Sequence, residues 1–505
     1  MSVLVPLRLR PPPRPRVHDG IAPTRFRRVP HVPGRVLVSN DTGAWTLLGE
    51  DDFAAYLEGR LDPLSPAYAE LLDKHFILPE APDAVEAVRR KNQHVFQGPS
   101  LHILALTLRC NQACHYCHSS KVGPSAQGVD MSIDTARTIV DRIFESPSPS
   151  LHIEFQGGEP LMAWDTLQYA VRYAGERNKA ERRELGFTVV SNLTLMDEAK
   201  LDWLIEHGVM ICTSLDGPAD LHDANRPYVK GSAHAHVVRW IDRIHEVLTQ
   251  RGADAHLARV NALLTVTRAS LTRGRDIVDE YLRRGLHAVA LRTLDPFGFA
   301  RPLWHKLGYS ADEFMAFWRD TLDHTLARNL AGDEIVEKNA AMFLTKMLTP
   351  RDPNHMDWRS PCGATIGQIA YNYDGNVYTC DEGRMVAEMG DELFRVGTIA
   401  ESYESWVRSD TTRAVTAAST LDGQPLCSSC AYKPYCGVCP VYNYVAQGDL
   451  WGQMPSNDRC KTSMGMQDYL IERLAGDAGD GRVRKVFERW TIDRDRSSLL
   501  QRDGR

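Results

Sequence analysis

Residues 110–117, CNQACHYC, set Cys110, Cys114 and Cys117 at C-x3-C-x2-C spacing on one short stretch. Three thiolates so placed can hold three irons of a cubane cluster and leave the fourth iron open to a small molecule, whereas a closed Fe–S cluster takes four cysteines. A zinc site completed by His115 or His118 is the alternative, because tetrahedral sulfur–nitrogen sets are a common end for clustered Cys and His. A second group lies far downstream. Cys362 and Cys380 bound a C-x12-G-x4-C pattern, CSSCAYKPYCGVC supplies Cys427, Cys430, Cys436 and Cys439, and Cys460 follows. Taken in isolation, the paired CxxC spacings also read as a zinc ribbon. Ten of the eleven cysteines fall in these two groups, which in a reducing compartment points to metal rather than disulfides. The remaining one, Cys212, sits in a strand-like run and reads as a core residue.

The elements that must position these residues follow from periodicity. An apolar run at 101–108 leads straight into the first cysteine loop and reads as a buried strand. Further strand-like runs occupy 152–156, 187–191, 209–215, 260–266 and 288–293. Helical stretches alternate with them near 131–145, 163–178, 197–207, 234–250 and 270–284. Such alternation argues for parallel strands joined by crossover helices. Functional side chains are then expected at the C-terminal ends of the strands. The second strand ends in Gln156-Gly157-Gly158-Glu159-Pro160, where two glycines let a backbone approach a ligand closely and Glu159 could accept from an ammonium group. The third ends in Ser191-Asn192 and the fourth in Ser214-Leu215-Asp216-Gly217. Asn192 and Asp216 could instead cap helices. Arg292 closes the sixth run and either reaches a ligand or pairs with Asp295. His222, Asn225 and Arg226 follow the fourth strand and are expected at the mouth, with no role assigned.

The chain's 505 residues leave room for two or three domains. Its net charge of −6 lacks the basic footprint of a nucleic-acid binder. No uncharged apolar run approaches the ~18–20 residues that span a bilayer, and the basic N-terminus has no apolar signal core, so a cytoplasmic protein is expected. Residues 1–24 are Pro/Arg-rich and irregular in pattern. Residues 25–95 read as a small module, with strands at 35–39 and 44–48 joined by a turn, then helices at 51–60 and 65–74 with Ser65 as N-cap. After the alternating stretch, 96–300, come a helical linker at 301–360, the second cysteine domain at 361–470 and a tail at 471–505. Within that domain 369–373 and 376–379 form a hairpin pattern around the turn Asp374-Gly375.

The first cysteine loop resembles the signature of radical S-adenosylmethionine (SAM) enzymes, with Tyr116 as the aromatic residue before the third cysteine. QGGEP matches that family's GGE motif, and the downstream cysteines resemble the SPASM auxiliary-cluster extension, with two residues instead of three in the last cysteine pair. TLRCNQACHYC, SPSPSLHIEFQGGEPL, TSLDGPADLHDANRP and DPFGFA resemble the maturases of the His-Xaa-Ser peptide system. The resemblance implies an α/β fold: a partial (β/α)6 barrel with a C-terminal SPASM domain and a small N-terminal α+β module. Such modules add a leader peptide to a sheet edge; a cap packed on the barrel is the plainer reading. It further implies SAM as cofactor, contacted by Tyr116, Gly157, Gly158, Glu159, Ser191, Asn192, Ser214, Asp216 and Arg292. Three [4Fe–4S] clusters are implied: one on Cys110, Cys114 and Cys117, an outer one on Cys427, Cys430, Cys436 and Cys460, and an inner one on Cys362, Cys380 and Cys439. The implied activity is hydrogen abstraction by a 5'-deoxyadenosyl radical from a ribosomally made precursor peptide, followed by oxidation or cross-linking. A flavodoxin or ferredoxin would be the electron donor, and anaerobic sulfatase maturation is the alternative activity. Asp381 occupies the position of a proposed base in sulfatase-maturing relatives, or else supports Cys380 or lies in a solvated turn.

Overall fold

The computed structural model describes residues 24–77, 83–252, 260–477 and 479–491. The Pro/Arg-rich start, apart from Thr24, and the last part of the tail lie outside the described residues. Contacts divide the chain into two compact units: described residues within Met1–Arg90 with Ser429–Pro434, and Lys91–Ser428 with Tyr435–Arg505.

In the first unit, β1 (Thr24–Arg27), β2 (Arg35–Asn40) and β3 (Trp45–Gly49) form an antiparallel sheet in the order β1-β2-β3. The expected hairpin is β2–β3; β1 was not legible as a strand because TRFR is too short and polar to show alternation. Helices Glu50–Leu57 and Pro66–Asp73 follow, and Ser65 caps the second by accepting from the Tyr68 amide at 3.1 Å. Val36, Val38, Leu48, Phe53, Tyr56, Leu71 and Phe76 make this unit's own core. Within the unit, Ser39 Oγ donates to the Ala431 carbonyl at 2.6 Å and Lys433 pairs with Asp41 at 3.2 Å.

The second unit holds a mostly parallel sheet. Its strands are β4 (Leu101–Thr107), β5 (Ser150–Gly157), β6 (Glu184–Ser191), β7 (Val209–Ser214), β8 (Asn261–Thr265), β9 (Ala288–Val289), β10 (Leu291–Arg292), β11 (Val336–Glu337), β12 (Gln368–Tyr371), β13 (Asn376–Tyr378) and β14 (Arg395–Thr398). The order is β10-β8-β7-β6-β5-β4-β12-β13-β14, with β9 pairing β11 separately. Five expected strands coincide with β4 to β8, and the sixth is split into β9 and β10. The helices fall where periodicity put them, at Ile133–Ile143, Trp164–Glu181, Glu198–Glu206, Ala233–Gln250 and Gly274–Arg283. β4 is buried almost throughout, as a central parallel strand covered on both faces must be. β5 alternates instead: Leu151, Ile153 and Phe155 are buried, while Glu154 and Gln156 face a cavity.

The downstream hairpin is not a separate layer. β12 runs parallel to β4, with Ile369 opposite His102 and Tyr371 opposite Leu104, and β13 and β14 continue the same sheet. The stretch expected as a linker forms helices Ala311–Leu330 and Lys338–Leu348, which bury Phe314, Trp318, Phe343 and Leu344. Among the described residues no helix is long and apolar enough to cross a membrane.

Candidate active site

A cavity of about 920 Å³ opens at the C-terminal ends of the strands in the second unit. Cys110, Cys114 and Cys117 line it. Their loop is held from outside: the Cys110 amide donates to the Val122 carbonyl at 3.0 Å, Ala113 to Pro227 at 2.9 Å and His115 to Asn225 at 3.0 Å. The segment 225–227, which had no assigned role, is thus a clamp on the cysteine loop. Burial pushes the Cys110 thiol up to about 12 and the Cys114 thiol to about 11, so these groups become thiolates only as ligands.

The GGE stretch is welded to this loop. Gly158 donates to the Thr107 carbonyl at 2.7 Å and Glu159 to that of Arg109 at 2.8 Å. A Cβ on Gly157 would lie 2.2 Å from the Thr107 oxygen, and one on Gly158 2.2 Å from the Arg109 oxygen. The close approach that demands glycine is therefore to the chain's own backbone, although both glycines also line the cavity. Glu159 was expected at the ligand. Its carboxylate is instead fully buried, accepting from Ser191 Oγ at 2.7 Å, the Leu161 amide at 3.0 Å and the Asn192 amide at 2.8 Å. Burial outweighs these donors and raises its pKa to about 7. Ser191, Asn192 and Ser214 do reach the cavity wall.

Asp216 is likewise withdrawn from the wall. It is fully buried, accepts from the Tyr116 hydroxyl at 2.8 and 2.9 Å and pairs with Arg226 at 3.0 Å. The Arg226 guanidinium lies 5.1 Å over the Tyr116 ring. Glu159 and Asp216 thus fix Asn192 and Tyr116, which are on the wall.

The same cavity is lined by Cys427, Cys436, Cys439 and Cys460. Cys427, Cys436 and Cys460 pack around Leu421, Val438 and Met454. Cys430 falls in Ser429–Pro434, the segment grouped with the N-terminal unit. Cys362, Cys380 and Cys439 share one buried group with Phe297, Phe394 and Val415. Cys380 and Cys439 each stand at a helix N-terminus, their sulfurs accepting from the Gly383 amide at 3.3 Å and the Tyr442 amide at 3.4 Å; burial outweighs these donors and holds both thiols well above their ordinary pKa, so they too become thiolates only as ligands. Cys212 is buried in β7, away from the cavity.

Ion pairs also line the cavity. Arg292 pairs with Glu382 at 3.4 Å, not with Asp295, which is taken by Arg459 at 2.8 Å. Burial, then the nearby Asp357, raises Glu382 to about 7. Asp381 is buried on the wall, and its Oδ1 accepts from Arg384 Nε at 2.9 Å. A solvated turn is thereby ruled out for Asp381.

The donor set fits Fe–S clusters with a ligand beside them. No disulfide forms among the described residues. Gln112 Nε2 and His118 Nε2 are buried beside the first loop without partners. Among the described residues no three His, Cys, Asp or Glu side chains converge closely enough to hold one metal ion.

Residues 104–254 match the family model "Radical SAM superfamily". Over that stretch the chain is similar to the radical SAM superfamily. Members of this superfamily are enzymes that use SAM and a [4Fe–4S] cluster. A serine-type anaerobic sulfatase-maturating enzyme of Klebsiella aerogenes is 26% identical over 353 residues, 66% of this chain and 77% of the relative. The radical SAM cyclopropyl synthase TigE of Paramaledivibacter caminithermalis is 22% identical over 172 residues, 30% of this chain and 36% of that protein. Across the matched relatives the alignment thus spans between 36% and 77% of the relative's own length. The native anSMEcpe structure with bound AdoMet and Cp18Cys peptide superposes with a TM-score of 0.60 at 18% identity, covering 75% of this chain and 99% of that one.

Proposed function

We propose that this protein is a radical SAM enzyme that modifies a ribosomally made precursor peptide at an unactivated C–H bond. The observation that carries the reading is one cavity of about 920 Å³ lined both by Cys110, Cys114 and Cys117 and by Cys427, Cys436, Cys439 and Cys460. Cys110, Cys114 and Cys117 hold the SAM-binding [4Fe–4S] cluster; Cys362, Cys380 and Cys439, and Cys427, Cys430, Cys436 and Cys460, hold two auxiliary ones. Bound there, SAM and its cluster supply a primary carbon radical able to take a hydrogen atom that no side-chain base could remove.

The protein's own residues orient and deprotonate. Asn192, Ser214 and Tyr116 line the ligand end, and Glu159 and Asp216 hold them rigid. Arg292 and Glu382 offer a charge pair to the peptide backbone. Asp381 serves as base: Arg384 occupies its Oδ1, leaving Oδ2 to receive a proton beside the inner cluster.

The N-terminal sheet is the capture element for the leader. β2 has a strand on each side, so an added strand must join β3 or β1. An external flavodoxin or ferredoxin provides the electron. Sulfatase maturation is the second reading, favoured by the 26% identity to the Klebsiella enzyme.

Anaerobically reconstituted protein, incubated with SAM, reductant and the short precursor peptide encoded beside its gene, should release 5'-deoxyadenosine and change the peptide's mass. If only a Cys- or Ser-bearing sulfatase peptide is changed, the second reading holds.

A further inference from the structure

Three cations are buried behind the auxiliary cysteines, away from the cavity wall. Arg359 is 1% exposed, Lys346 2% and Lys91 7%. Lys346 Nζ pairs with Asp352 at 3.2 Å and donates to the Trp358 carbonyl. Lys91 Nζ donates to the Lys346 carbonyl at 3.3 Å and lies 5.5 Å from the Tyr435 ring centre. Arg359 Nε donates to the Pro361 carbonyl at 3.1 Å and Nη1 to Asn354 Oδ1 at 2.8 Å, while Nη2 has no partner. One carboxylate, Asp352, thus faces three positive charges. His94 adds none, since burial and then Arg359 lower its pKa to about 4.

A buried cation without a counter-charge costs several kcal/mol, so an anion belongs beside Arg359. A substrate anion cannot be that group, because Arg359 is absent from the cavity lining. The nearest chemistry is the cysteine set. Pro361, which accepts from Arg359, directly precedes Cys362. Gly437, between Cys436 and Cys439, packs so tightly that a Cβ there would lie 2.8 Å from the Arg359 amide nitrogen and carbonyl oxygen. A thiolate at Cys362 acts on Arg359, and one at Cys436 on Lys346.

We propose that Arg359 donates through Nη2 to the inner auxiliary cluster at its Cys362 side and raises that cluster's reduction potential. The inference rests on reading Cys362, Cys380 and Cys439 as cluster ligands. Hydrogen bonds to sulfur and local net charge are the protein's main means of setting such potentials. A more positive potential makes the inner cluster a better acceptor for the electron that a substrate radical must lose.

The test is a potentiometric titration, followed by electron paramagnetic resonance, of full-length protein carrying Cys110→Ala, Cys114→Ala and Cys117→Ala so that only auxiliary clusters contribute. Arg359→Met should lower one midpoint until the reduced-to-oxidised ratio at the wild-type midpoint falls at least about tenfold, which is 59 mV for a one-electron couple. Arg359→Lys should retain most of the wild-type value. An unchanged midpoint in Arg359→Met at full iron content overturns the proposal. Should Arg359→Met fail to fold, chain with native Arg359 labelled with 15N-guanidino arginine decides: a nitrogen hyperfine coupling to a reduced auxiliary cluster supports the contact, and its absence overturns it. Native chain that binds only about four irons removes the underlying reading as well, and is told apart by that count.

Discussion

Cys110, Cys114 and Cys117 lie within eight consecutive residues, and their loop is fixed by backbone hydrogen bonds from 122 and 225–227. Cys362, Cys380 and Cys439 are far apart in sequence and meet inside a buried apolar group, two of them at helix N-termini. Charge is handled differently too. At the first loop Arg226 is matched by Asp216, whereas behind the second group Arg359 has no carboxylate partner. A compact loop needs only a rigid rim, but a dispersed set needs a whole domain folded around it and can store excess positive charge for an anionic cluster.

The sharpest way to break this comparison is to remove the first set. Cys110→Ala, Cys114→Ala and Cys117→Ala together should abolish SAM cleavage and remove about four of about 12 irons, leaving the dispersed set loaded. Retained cleavage would remove the central claim, and loss of all iron would show that the two sets do not fold independently.

Asp381 tests the other side. Asp381→Asn should leave 5'-deoxyadenosine formation largely intact while product falls about 10²–10⁴-fold, the usual share of a general base. Deuterium from labelled peptide should still reach 5'-deoxyadenosine. The substitution also unpairs Arg384, whose side chain is fully buried, at a cost of about 3–5 kcal/mol. Iron must therefore be counted in the same sample: joint loss of iron and product makes Asp381 a support for Cys380 and not a base.

A smaller effect is expected at the N-terminal sheet. Asn40 and Ala44 close the β2–β3 hairpin with a hydrogen bond, and the register alternates from there, so Leu47, opposite Leu37, turns its amide to the outer edge of β3. Leu47→Pro should weaken precursor binding at least about tenfold, ~1.4 kcal/mol, and spare peptide-independent SAM cleavage. Unchanged affinity by fluorescence anisotropy would leave β1 as the receiving edge, or the unit as a cap. Removing residues 1–95 outright is a poorer experiment, because Ala431 and Lys433 bond to Ser39 and Asp41.

What the sequence made legible follows the same division. Strands β4 to β8 and their helices were readable because each buries a continuous or alternating apolar set under a strictly local period. The cysteine loop was readable because its chemistry is contiguous. The pairing of β12 with β4 was not, since nothing in LHILALT or QIAY encodes which edge a distant strand joins. The hydrogen bonds that bury Glu159 and Asp216 were also hidden: they depend on Ser191, Asn192, Tyr116 and Arg226 arriving from other parts of the chain. The LHDANRP stretch after β7 was expected at the mouth, but its meaning needed the loop it clamps.

The smallest expected effect bears on the stored charge. Burial, and then the repulsion of Lys346, lower the pKa of Lys91 from 10.5 to about 8. Between those values the unfolded chain binds the proton that the folded chain has released, so stability should rise with pH from about 8 to about 10.5 and be lost as pH falls through 8. The full span corresponds to on the order of 3 kcal/mol. Lys91→Met keeps the apolar stem against Tyr435 and removes the charge. Before iron is added, the variant should be the more stable chain at pH 7, and the two should converge near pH 10.5, as read from denaturant midpoints. After reconstitution the advantage at pH 7 should shrink, because anionic clusters then offset the cations. Parallel pH curves for the two proteins would mean that Lys91 is already balanced, and the contrast in charge between the two cysteine groups would rest on Arg359 alone.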